Sequence, residues 1–134
     1  MSDAGTRAPN DALRWSPLKR AAVASVFALW LLHGLWHAWW LPAPGAILWL
    51  VLVLAALPGL PCVLAALWRR PSAPFWAGVA GLFYFSHGVM EAWAAEQWRA
   101  LGWIEVALAL LAVFGSSLEG ARARSASKRA ARAR

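Results

Sequence analysis

The sequence predicts an all-α integral membrane protein, an antiparallel four-helix bundle with both termini in the cytoplasm. Three observations predict this fold: 61% of the 134 residues are hydrophobic, they form four long runs, and the basic residues lie outside those runs. Soluble domains carry about 25% charged residues, whereas this chain carries 14%. Because the apolar excess is concentrated in blocks, it indicates membrane spans and excludes an ordinary soluble domain.

The apolar runs divide the chain into a lead, a membrane domain and a tail. We expect a polar, disordered lead at 1–19, a four-helix domain at 20–118 and a basic low-complexity tail at 119–134. Each run is close to the about 20 residues that cross a bilayer as a helix. The short connections "PAPG", "RRPSAP" and "EQWR" make neighbouring spans antiparallel. The predicted spans cover about 21–41, 46–68, 75–95 and 100–118.

Lysine and arginine predict the orientation of the spans. The first connection has no basic residue, and the third has only Arg99, which Glu96 balances. The other basic residues flank the opposite span ends, which the positive-inside rule assigns to the cytoplasm. A cleaved signal peptide is the alternative for the first run. That run exceeds the about 7–15 apolar residues of a signal peptide, and no A-x-A-like site follows it.

The tail "ARARSASKRAARAR" contributes much of the net charge of +7. Its basic residues scatter around a helical wheel, so the sequence predicts a disordered anchor that touches anionic lipid. A nucleic-acid or partner-binding arm is the less favoured alternative. The single cysteine, Cys62, excludes an internal disulfide and a cysteine-based metal cluster.

Eleven tryptophans are unusual for a chain of this length. Two interfacial belts explain most of them, because tryptophan prefers the headgroup level. The outer belt comprises Trp36, Trp39, Trp40, Trp49, Trp93, Trp98 and Trp103, and the inner belt comprises Trp15, Trp68 and Trp76. The alternative is an aromatic pocket for a flat cofactor or a lipid. Its candidate wall residues are Trp30, Trp36, Trp40, Tyr84, Trp93 and Trp103.

Five ionisable residues interrupt the apolar runs at one predicted depth, at most about 12 Å from the outer helix ends. They are His33, His37, His87, Glu91 and Glu105. Small residues repeat at spacings of three and four beside them in spans three and four, which predicts a helix–helix contact. We therefore expect His87 to pair with Glu91, and Glu105 to pair with a histidine of span one. Charged groups inside a membrane indicate function by default.

The chemistry of this cluster stays open. His33 and His37 have the i, i+4 spacing of a metal-chelating pair, but the H-E-x-x-H glutamate is missing. Haem held between spans one and three, a quinone and a proton relay are further candidates. The structural alternative is an interhelical polar clasp in an accessory subunit of a larger membrane complex, or in a homo-oligomer. No nucleophile or phosphate loop is present, so an enzyme is least favoured.

Span two contains the segment "LPGLPC" in its interior. Pro58 and Pro61 each lack a backbone donor, so we expect a kink, either a static bend or a hinge.

The words "LWHAWWLP", "FYFSHGVMEAW" and "WIEVALAL" together resemble a family of small four-span bacterial inner-membrane proteins, the DUF family numbered twenty sixty-nine. The resemblance covers roughly 18–118, and its third-span segment is the most specific part. It implies an uncharacterised multi-pass protein of the bacterial cytoplasmic membrane. It implies no activity, substrate or cofactor.

Overall fold

The computed structural model describes residues 15–40 and 45–132, which are helical apart from short connections and contain no strand. The all-α prediction is therefore confirmed for this part of the chain. Most of the predicted lead, most of the "PAPG" connection and the last two residues lie outside the described residues.

The first helix, α1, spans Pro17–Leu35. It begins at Pro17 because Ser16 Oγ accepts a hydrogen bond from the Lys19 amide at 3.3 Å, and proline is compatible with the first helical turn. The residues 17–19, which the sequence predicts as disordered, are thus helical. A π-helical turn, Trp36–Trp40, follows α1 directly.

The second apolar run forms two helices, α2 at Gly45–Ala56 and α3 at Leu60–Leu67. A 3₁₀ turn, Leu57–Gly59, joins them at the predicted proline segment. The Tyr84 hydroxyl of the next helix donates a hydrogen bond to the Ala55 carbonyl at 2.7 Å. The expected interruption is therefore present, and a neighbouring helix pairs a carbonyl beside it, as a membrane interior requires.

The last two helices are α4 at Ala73–Ala94 and α5 at Arg99–Arg132, joined through a 3₁₀ turn at Glu96–Trp98. The long α5 continues beyond the predicted end of span four. The prediction of a disordered tail is wrong for 119–132, because alanine and arginine are strong helix formers and continue the helix without a break.

Within residues 15–40 and 45–132, three helical stretches are long and apolar enough to cross a membrane: Pro17–Trp40, Ile47–Leu67 and Glu96–Leu118. The 22-residue α4 has the necessary length but is less apolar, since it contains glycine, serine, histidine and glutamate.

Small side chains fill the interior. The closest packing joins α4 to α5, α1 packs against both, and the α2–α3 segment packs against α1 and α4. Large apolar side chains face outward, and Trp39 and Trp93 are 80% and 87% exposed. This distribution is typical of membrane bundles, in which small residues allow close helix contacts. The core is rich in alanine: Ala22, Ala73, Ala77, Ala80, Ala109 and Ala112.

The small-residue faces that the sequence predicts in spans three and four meet each other. A Cβ atom added to Gly81 would lie 2.8 Å from the Ala109 carbonyl oxygen, and one added to Gly88 would lie 3.1 Å from Glu105 Cβ. A Cβ at Gly81 would overlap the backbone of α5, whereas one at Gly88 would require its neighbours to shift by a few tenths of an ångström. The polar residues on the same faces are thereby brought into the interior.

Candidate functional site

Three helices each contribute one ionisable side chain to a buried cluster: His33 from α1, His87 from α4 and Glu105 from α5. His87 Nδ1 lies 3.0 Å from both carboxylate oxygens of Glu105. His33 Nε2 lies 3.4 Å from Oε1 of the same carboxylate. One ligand atom from each residue lies within 4.8 Å of the other two. We call these three residues the His33–His87–Glu105 cluster.

Close helix packing places Glu105 in this cluster. The residue is 0% exposed, and its Cβ faces Gly88 of α4. A carboxylate removed from water in this way needs a compensating positive charge or strong hydrogen bonds. The two imidazoles are the only such groups that contact its side chain among the described residues.

His33 is held in one orientation by its own helix. Its Nδ1 lies 2.9 Å from the Leu29 carbonyl oxygen, and because a carbonyl only accepts, Nδ1 carries the hydrogen. In a neutral ring Nε2 then carries no hydrogen, and its lone pair faces the Glu105 oxygen. Two such acceptors repel each other at 3.4 Å. The arrangement therefore requires one further cation, either a proton or a metal ion.

The separations in the cluster suit a small metal ion. Ligands at about 2.0–2.1 Å from a tetrahedral zinc ion lie roughly 3.3 Å from one another. The two separations from Glu105 Oε1, 3.4 Å to His33 and 3.0 Å to His87, bracket that value. The Leu29 carbonyl supplies the outer hydrogen bond that metal-binding histidines usually make. These residues can hold one ion with small side-chain movements.

The other two predicted site residues lie beside the cluster. The His37 ring centroid is 6.0 Å from that of His33, but neither His37 nor Glu91 belongs to the metal-ligand group. No hydrogen-bond partner of the His37 ring or the Glu91 carboxylate is found among the described residues. The expected pairing of Glu105 with a span-one histidine is present. His87, however, contacts Glu105 and not Glu91, because the approach of α5 brings a closer carboxylate.

The cluster does not resemble a haem site. The His33 and His87 ring centroids are 5.3 Å apart, which leaves no room for a macrocycle between the rings. His33 Nε2 and His87 Nδ1 both point to the Glu105 carboxylate, whereas two axial haem ligands would point to one iron atom from opposite sides.

A cavity of about 350 Å³ opens beside the cluster, between α1, the α2–α3 segment and α4. Three imidazoles and the Tyr84 ring line one side of it. Of the residues predicted for a pocket wall, Tyr84 lines this cavity and the tryptophans do not. Trp40, Trp93 and Trp103 are exposed instead. The rest of the wall is apolar, and the described lining residues are His33, His37, Val51, Leu54, Ala55, Pro58, Phe83, Tyr84 and His87.

One tryptophan differs from its predicted place. Trp36, predicted in the outer belt, is 2% exposed, and its ring lies 6.1 Å from the His37 ring and 6.5 Å from the His87 ring. It forms part of the surroundings of the cluster. Trp30, predicted to stand apart from both belts, lines a separate hollow of about 200 Å³.

Sequence reasoning missed the aliphatic wall residues Val51, Leu54 and Pro58, and the π-helical turn that carries His37. The proline segment was the available signal for the wall, since an interrupted helix leaves space beside it. The π-helical turn has no comparable signal in the sequence.

Comparison with known proteins gives one match. A family model described as "Predicted membrane protein (DUF2069)" matches residues 21–124. No match was found among curated proteins or among solved structures. The matched region includes α1 from residue 21 onward, α2 to α4, the whole His33–His87–Glu105 cluster and the first part of α5. The chain therefore belongs to the DUF2069 family of predicted membrane proteins.

Proposed function

We propose that this protein spans the bacterial cytoplasmic membrane four times, with both termini inside, and binds one divalent transition-metal ion at the His33–His87–Glu105 cluster. The ion would lie near the periplasmic face. The membrane placement is supported by the three apolar helices and the family description. The fourth span would be α4, which packs between α5 and the α2–α3 segment.

The proposed orientation is supported by the basic residues at one set of helix ends. Reporter fusions test it: a cytoplasmic reporter after residue 70 and another after Arg132 should both be active, and a periplasmic reporter at either place should be silent. Activity of a periplasmic reporter at either position would exclude the four-span, both-ends-inside arrangement. A failure of this test would leave the metal-binding test below intact, because the cluster geometry does not depend on orientation.

The observation that carries the metal proposal is the lone pair on His33 Nε2, which has no hydrogen-bond donor opposite it. With Nδ1 donating to Leu29, the neutral His33 ring and the Glu105 carboxylate both present acceptors to the same point. A divalent ion at this point would remove the repulsion between the two acceptors and balance the charge of the buried carboxylate. It would also accept His87 Nδ1 as a ligand. Three protein ligands leave one coordination position open, as in zinc sites that bind a further ligand.

Metal analysis of the purified protein tests this proposal. The protein is purified in mild detergent, incubated with ZnSO₄, freed of loose metal on a desalting column and analysed by mass spectrometry. We expect about one zinc ion per chain, by the stoichiometry of a three-ligand site. Glu105→Gln and His87→Gln should lose the ion, whereas the matched control Glu91→Gln should retain it. Equal zinc in Glu105→Gln and in the wild type would refute the metal site.

A second candidate function is favoured by one specific contact. His87 already donates to both Glu105 oxygens at 3.0 Å, so one proton added at His33 Nε2 would close the cluster without a metal. The three residues would then be an interhelical clasp in a structural or accessory subunit, packing beside a larger membrane complex or in a homo-oligomer. In that case the wild-type protein binds no zinc, and Glu105→Gln lowers its thermal stability. Anionic lipid at the basic end of α5 is a further proposed partner.

A further inference from the structure

The cavity beside the cluster combines an apolar wall with imidazole nitrogens that lack a protein partner. Its apolar side is formed by aliphatic residues and by Phe83, which is 62% exposed. Its polar side includes His37, whose ring has no hydrogen-bond partner among the described residues. An unpaired polar group in hydrocarbon costs several kcal/mol, so a polar atom is expected to fill this side.

His87 also presents a free nitrogen at this cavity. Its Nδ1 is occupied by Glu105, and the side chain is 37% exposed and lines the cavity. Its remaining nitrogen, Nε2, can therefore donate to or accept from a bound molecule. The Tyr84 hydroxyl has no further hydrogen to donate to a bound molecule, since it already donates to the Ala55 carbonyl. Two imidazoles thus remain available for a ligand.

The size and entrance of the cavity restrict the ligand. A cavity of about 150 Å³ holds one benzene ring, so 350 Å³ admits a substituted ring and the start of a chain. Leu54 and Phe83 are both exposed wall residues on the outside of the helices. A molecule dissolved in the bilayer can therefore enter between α2 and α4 without crossing water.

We infer that this cavity binds the head group of a membrane-soluble quinone, with ring oxygens hydrogen-bonded by His37 and His87. A quinone ring is flat and apolar and carries oxygen at its edge, which fits an aromatic and aliphatic wall with two imidazoles on one side. The inference concerns binding alone. It does not depend on a metal ion, because His37 and His87 Nε2 lie outside the ligand atoms of the cluster.

Binding is tested with the full protein in lipid nanodiscs and decyl-benzoquinone as the probe, measured by equilibrium dialysis against empty nanodiscs. We expect saturable binding of the wild type above lipid partitioning. Leu54→Trp should abolish it by filling the cavity. Leu50→Trp is the matched control, since Leu50 lies on the same helix, is 50% exposed against 58% for Leu54, and does not line the cavity. It should bind as the wild type does.

His37→Leu provides a second variant that does not fill the cavity, and we expect it to weaken or abolish saturable binding. Circular dichroism and gel filtration verify that each variant is folded. Saturable binding should remain after removal of metal with EDTA, because the His37 ring can still donate to a ring oxygen, and this separates the inference from the metal proposal. The inference would be overturned if nanodiscs with the wild-type protein take up no more quinone than empty nanodiscs do. It would also be overturned by saturable binding that both Leu54→Trp and His37→Leu leave unchanged.

Discussion

The contact between α4 and α5 is so close that Gly102 has no room for a methyl group. A Cβ atom there would lie 2.6 Å from the Ala92 nitrogen, 2.9 Å from Ala92 Cα and 2.9 Å from the Gly88 carbonyl oxygen. Favourable contacts between heavy atoms occur at about 3.5–4.0 Å. Since all three atoms belong to the backbone, side-chain rotation cannot relieve the overlap. Gly102→Ala therefore forces the two helices apart by roughly 1 Å.

The expected energy follows from that displacement. Overpacking a well-packed contact costs about 1–3 kcal/mol, and a gap of 0.5–1 Å forfeits about a quarter to a half of each dispersion contact nearby. Alanine recovers up to about 1 kcal/mol through its helix propensity. After this gain we expect Gly102→Ala to be destabilised by up to about 2 kcal/mol. Gly34 is the matched control, because a Cβ there would meet nothing within 4 Å. Gly34→Ala should be stabilised by about 0.4–1 kcal/mol.

The chain contains its own reporter for this comparison. Cys62 is the single cysteine and is 0% exposed, so a thiol-reactive fluorogenic maleimide reacts when the protein unfolds. A thermal ramp in detergent should give a lower midpoint for Gly102→Ala than for the wild type, and an equal or higher midpoint for Gly34→Ala. If Gly102→Ala unfolds at or above the wild-type temperature, the described approach of α4 to α5 is incorrect.

Two further changes can be measured with the same assay. Tyr84→Phe should lower stability by about 0.5–1.5 kcal/mol, since the carbonyl of Ala55 loses its donor while the ring is kept; an unchanged midpoint would mean that another group pairs this carbonyl. Glu105→Leu should be destabilised by about 1–3 kcal/mol, because it leaves the buried His33 and the partly buried His87 without their common partner. Glu91→Leu is its control and should not be destabilised, and equal losses in both variants would contradict the assigned pairing.

The elements that sequence predicted best depend on local chemistry. Pro58 interrupts span two as predicted, because proline acts on the backbone within one turn of itself. The start of α1 was predicted at about residue 21 and lies at Pro17, although Ser16 and Pro17 are equally local signals. The end of α5 was mispredicted for an equally local reason. Low complexity and positive charge were interpreted as disorder, although alanine and arginine favour helix.

The partner of His87 shows why the site was predicted only in part. The sequence placed Glu105 on a small-residue stripe of span four and His87 beside a similar stripe of span three, and these stripes meet in the α4–α5 contact. It did not give the register of that contact. The choice between Glu91 and Glu105 depends on register, which Gly88 and Gly102 set through backbone approach. The i, i+4 spacing within α4 favours Glu91, but the buried carboxylate of α5 lies closer to the ring.

His87 connects the two proposed sites through its two nitrogens. If a metal ion takes Nδ1, the neutral ring must carry its hydrogen on Nε2, which then donates to an oxygen in the cavity. If the cluster is free of metal and Glu105 is ionised, Nδ1 donates to the carboxylate and Nε2 of the neutral ring accepts. The first state favours the carbonyl oxygen of a quinone, and the second favours the hydroxyl of a quinol. Occupancy of the cluster would thus shift the preference between oxidised and reduced ligand without being required for binding, which dialysis with both forms, with and without zinc, measures directly.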